Sequence, residues 1–66
     1  MNNEIILQAF VSTHEDLYEL IQLPEGKLEI LYNGTVAYYG LSMKTAIFYM
    51  KRLKQFFGEK KLCQTN

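Results

Sequence analysis

The chain is poor in the residues that build rigid or reactive sites. It has one cysteine and one histidine in 66 residues. A single thiol excludes a disulfide framework within the chain and a cysteine-rich zinc site, and a single imidazole excludes a cluster of histidine ligands. Neither sign of charge is in excess, since seven basic side chains face seven acidic ones. The balance therefore lacks the strong basicity of a chain built around nucleic acid. No apolar run is long enough to span a membrane. The longest, Ile5-Ile6-Leu7-Gln8-Ala9-Phe10-Val11, is broken by Gln8 and follows Glu4 rather than a basic leader segment. HExxH, EF-hand, phosphate-loop and GxSxG patterns are all missing, so no metal, cofactor or catalytic role is expected.

What is present is the composition of a folded chain: 48% hydrophobic, 14% aromatic and 21% charged. A domain this small buries only about 60% of the surface its unfolded form exposes. With no disulfide or metal to support it, association with further copies is the expected compensation, so a homo-oligomer is expected. The lone Cys63 near the C-terminus suits a reducing, cytoplasmic compartment.

Residues 4–11 read as an apolar strand. Ser12-Thr13-His14-Glu15 then matches a capping box, and Leu17, Leu20 and Ile21 recur at helical spacing up to Pro24. The expectation is a helix over about 13–22. Asn33-Gly34 lies between two β-rich runs, 27–32 and 35–39, and signals a hairpin with a type I′ turn. A two-residue turn pairs Tyr32 with Thr35, Ile30 with Ala37 and Leu28 with Tyr39 on one face. Leu31, Val36, Glu29 and Tyr38 fall on the other. Ser42 is a fitting N-cap for a long helix over 43–57, closed by Gly58. Met43, Ala46, Ile47, Met50, Leu53 and Phe57 form its apolar stripe.

The order is then β-α-β-β-α. The expected fold is α+β, a three-stranded antiparallel sheet of order 1-3-2 with both helices on one face. That is a ferredoxin-like unit lacking its last strand. Residues 1–58 make the single domain, with 59–66 as a flexible C-terminal tail.

Charge is divided along the chain. Residues 1–40 hold Glu4, Glu15, Asp16, Glu19, Glu25 and Glu29 against Lys27; residues 41–66 hold Lys44, Lys51, Arg52, Lys54, Lys60 and Lys61 against Glu59. Phe48 stands among Lys44, Lys51, Arg52 and Gln55 on the polar side of the long helix. An aromatic ringed by cations suits a protein anchor, so these five residues are the candidate partner-binding set. Leu31, Val36 and Tyr38 are candidate sheet-face or dimer contacts. The expected function is a small non-catalytic protein-interaction module: a regulator, adaptor or inhibitor that docks through the C-terminal helix and the sheet surface. The alternative is a nucleic-acid-binding module using Lys44, Phe48, Lys51, Arg52 and Lys54. His14, Glu15 and Asp16 are adjacent in sequence and would not converge on one ion from a helix.

Overall fold

The computed structural model describes residues 4–60. Four strands and one helix follow in order: β1 (Ile5–Val11), β2 (Leu17–Gln22), β3 (Leu28–Tyr32), β4 (Thr35–Leu41) and α1 (Met43–Phe57). The strands form an antiparallel sheet of order β1-β2-β3-β4, and α1 crosses one face of it, against β2 and β3.

The expected helix over 13–22 and the three-stranded 1-3-2 sheet are therefore wrong. Leu17-Tyr18-Glu19-Leu20-Ile21-Gln22 satisfies two periods at once. As a helix it offers one apolar stripe. As a central strand it buries Tyr18 and Leu20 under α1 and Ile21 on the far face, with 6%, 1% and 2% of their surfaces exposed. Backbone ladders to both β1 and β3 satisfy its polar groups. With no crossover helix, successive strands join by tight turns and pair as neighbours.

The three turns explain the misleading signals. The Ser12 hydroxyl does accept backbone N–H groups, from His14 at 3.2 Å and Asp16 at 3.1 Å. It closes a turn rather than opening a helix, because Glu15 adopts a φ of 68°, which no right-handed helix contains. Pro24 occupies the second position of a turn closed by the Gly26 N–H on the Leu23 carbonyl at 2.8 Å. Asn33 and Gly34 have φ of 50° and 87°, the pair of positive values that a type I′ turn requires. The Asn33 side chain also accepts the Leu17 N–H at 2.7 Å, which ties this turn to the start of β2.

The β3–β4 register begins as expected, with Tyr32 opposite Thr35 and Leu31 opposite Val36. It then slips. Ile30 faces Tyr38 rather than Ala37, and Leu28 faces Leu41 rather than Tyr39. The irregularities fall at Ala37 and at Gly40, whose φ is 66°. Each extra residue reverses the alternation of side chains. Tyr38 consequently lies on the α1 side, and Tyr39 pairs with Glu29 on the outer face, 76% exposed.

Helix α1 has the bounds and caps the sequence implies. Ser42 Oγ accepts the Thr45 N–H at 3.2 Å, and the Gly58 N–H donates to the Lys54 carbonyl at 2.8 Å. Ala46 and Met50 are buried against Phe10, Tyr18, Leu20, Leu28 and Ile30, with Leu41, Tyr49, Leu53 and Phe57 at the margin. Met43 and Ile47, expected in the stripe, are instead 46% and 45% exposed. The helix centres on β2 and β3 and leaves that flank uncovered.

The end of α1 is fastened to the β1–β2 turn. Thr13 donates to the Phe57 carbonyl through its hydroxyl at 2.8 Å and its backbone N–H at 3.3 Å. The Lys60 N–H reaches the Val11 carbonyl at 2.7 Å, and its ammonium meets Glu15 at 3.0 Å. Lys60, the second residue of the expected 59–66 tail, is thus held against the domain. Residues 61–66, with Lys61 and Cys63, lie outside the described residues. Among the described residues no helix is long and apolar enough to cross a membrane.

Candidate docking surface

Helix periodicity places Ala46, Met50, Leu53 and Phe57 towards the sheet. Moving round the cylinder towards β4, the next positions are Tyr49, Phe56, Thr45, Arg52 and then Phe48. Tyr49 meets Tyr38 edge-on, their ring centroids 5.1 Å apart at 61°. This contact exists because the bulge at Ala37 carries Tyr38 to the helix side. Phe56 stands at 90° to Phe57 with centroids 5.1 Å apart, yet 82% of it is exposed. Tyr38, Tyr49, Arg52, Leu53, Phe56 and Phe57 together line an open cleft of about 400 Å³ between α1 and β4. Arg52 is the charged group in that lining.

Phe48 joins the same surface. Its ring is 6.3 Å from that of Tyr49, and the Arg52 guanidinium carbon lies 5.8 Å above it. An arginine over an aromatic face is attracted by the ring quadrupole. Phe48 remains 53% exposed. Lys44, Lys51, Arg52 and Gln55 are exposed around it, so all five expected partner-binding residues lie on solvent-facing parts of α1. Lys54 does not join them. It turns to the opposite flank, 5.7 Å from the Phe10 ring and 4.0 Å from the Glu59 carboxylate.

The three sheet-face candidates do not form one group. Leu31 and Val36 are cross-strand partners on the outer face, half-buried and 46% exposed respectively, while Tyr38 lines the cleft behind them. Phe56 is the exposed aromatic that helical periodicity hid. By spacing it widens the apolar stripe, and only the position of β4 leaves it bare.

The acidic turn is spent on structure. Glu15 pairs with Lys60, Asp16 accepts from the Asn33 amide at 3.1 Å, and His14 is exposed. Among the described residues no three His, Cys, Asp or Glu side chains converge as metal ligands would. Burial, reinforced by Tyr32 and Asp16, raises the Tyr18 phenol above its ordinary pKa, and the Asp16 charge raises that of Tyr32. Both phenols are therefore protonated at neutral pH, and their rings pack together, with centroids 5.2 Å apart. A second depression, of about 640 Å³, lies by the Leu23–Lys27 turn, where Glu25, Lys27 and Glu29 set opposite charges side by side.

No protein-family model matches the chain, and no curated protein or solved structure matches it.

Proposed function

We propose that this protein is a small non-catalytic interaction module that docks a protein partner on the α1 surface beside β4. One observation carries the reading. Phe48, Tyr49, Tyr38 and Phe56, linked by Arg52, form a continuous aromatic surface whose two end rings are more than half exposed in a chain with few large buried side chains. Rings held by a helix and a strand are rigid anchors, and aromatic and arginine side chains dominate binding energy at protein interfaces. The nucleic-acid alternative draws less support, because Lys54 faces away from Lys44, Lys51 and Arg52. A cytoplasmic setting belongs to the same reading, since it suits a chain with a single cysteine.

Phe48→Ala separates anchoring from folding. Exposed substitutions change stability by under about 0.5 kcal/mol, so its melting curve should overlay that of the wild type. Truncating an anchor costs on the order of 1–2 kcal/mol of binding, roughly tenfold in affinity. Quantitative affinity capture from the native host, run in parallel with wild type and Phe48→Ala, should yield a stoichiometric protein that the variant loses. Equal capture by the two proteins, or a variant that no longer folds, removes Phe48 as an anchor and the reading with it.

A further inference from the structure

We infer that the α1–β4 cleft accepts an extended acidic peptide segment, with one aromatic or branched aliphatic side chain in the cleft and a neighbouring carboxylate on Arg52. This deepens the docking reading and rests on it. Arg52 is the one charged side chain in the cleft lining, and Asp16, beside Tyr18 and Tyr32, is already hydrogen-bonded to the Asn33 amide. Helix α1, MKTAIFYMKRLKQFF, contains no acidic residue, and its exposed cations on the outward side are Lys44, Lys51 and Arg52. The two other described cations of this half are already engaged, Lys54 with Glu59 and Lys60 with Glu15. The acids Glu19, Glu25 and Glu29 lie on the strands and the β2–β3 turn, away from the cleft lining. A carboxylate therefore meets complementary charge here, and a guanidinium presents it with two parallel donors.

Size points to a peptide rather than a flat protein face. A cleft of about 400 Å³ lined by Tyr38, Tyr49, Leu53 and Phe56 matches the lower range of small-ligand pockets, enough for one large side chain. Phe48 and Phe56 are eight positions apart, about 12 Å along the axis at 1.5 Å per residue. An extended segment of about four residues covers that span. A polyphosphate chain is the poorer match, because Lys44 and Lys51 do not line the cleft and only Arg52 reaches into it.

The test is selection of a phage-displayed random dodecapeptide library on the immobilised full chain. Enriched sequences should carry Asp or Glu within a few residues of an aromatic or branched aliphatic residue. The corresponding synthetic peptide should bind Arg52→Glu and Phe56→Ala at least tenfold more weakly, with both variants melting like the wild type. A peptide whose acids are replaced by lysine should lose the wild type and regain Arg52→Glu. Enriched peptides without acids, or indifferent to Arg52→Glu and Phe56→Ala, would leave docking standing and overturn the cleft assignment. No enrichment at all would overturn the peptide assignment, while docking of a folded partner would still stand or fall on the Phe48→Ala capture. Tighter binding of a fluorescent oligouridylate than of any selected peptide, lost steeply with salt, would replace the peptide with nucleic acid.

Discussion

Ile30→Ala should remove about 2–5 kcal/mol, a large share of the chain's stability. Ile30 has no exposed surface and sits on β3 under α1, in the cluster with Leu20, Leu28, Ala46 and Met50. Removing three buried carbons costs the lost transfer energy plus the cavity left behind, about 2–5 kcal/mol. A chain of this length has a total stability of roughly 3–10 kcal/mol at about 0.05–0.15 kcal/mol per residue. One core truncation therefore consumes a large share of it. Leu31→Ala, one position along and on the outer face, is the control and should cost far less. Chemical denaturation of the two variants checks this. Equal losses for both would mean that the helix does not cover the face assigned to it.

Gly58→Val should be nearly as damaging, by a different route. Gly58 has φ 76° and ψ 165°, a region open to glycine alone and costing about 1–3 kcal/mol for other residues. A Cβ there would also lie 2.8 Å from Thr13 Cγ2, and Thr13 is held in place by its hydrogen bonds to the Phe57 carbonyl. Strain and collision together should exceed about 2 kcal/mol and release the helix end from the β1–β2 turn. Combining Gly58→Ala with Thr13→Ser separates the two. Serine keeps the hydroxyl donor and removes the colliding methyl, so the pair should be more stable than Gly58→Ala alone while staying below the wild type. Strictly additive losses would show that the close approach at Thr13 carries no energy.

The parts of this fold that were legible in the sequence are those that a single local device specifies. Asn33-Gly34 can hardly be anything but a tight hairpin turn, and Ser42 and Gly58 bracket a helix whose interior has one consistent period. Leu17 to Gln22 was not legible, because the same apolar positions fit a helix stripe and a two-faced central strand. Only pairing with β1 and β3, a non-local event, decides between them. Ser12 added to the error, since a hydroxyl that accepts N–H groups two and four residues on looks in sequence like a helix cap. The bulge at Gly40 had a signal that reads equally as a strand end, a glycine directly after the run 35–39, yet β4 continues through it to Leu41. The one at Ala37 had none, and it moves Tyr38 from the outer face into the cleft. The basic and aromatic character of the site was therefore visible in α1, from Phe48, Lys51 and Arg52. Its shape was not, because the second wall belongs to β4.

The central claim is that the α1 surface beside β4 is where this protein meets its partner. Chemical-shift mapping tests it most directly, using backbone and aromatic side-chain resonances during titration with the partner that the Phe48→Ala comparison identifies. Shifts at Tyr38, Phe48, Tyr49, Arg52 and Phe56, with Leu31 and Val36 unmoved, are the predicted result. Shifts gathered instead on Leu31, Val36 and Tyr39, or along Ile5 to Leu7, would contradict it.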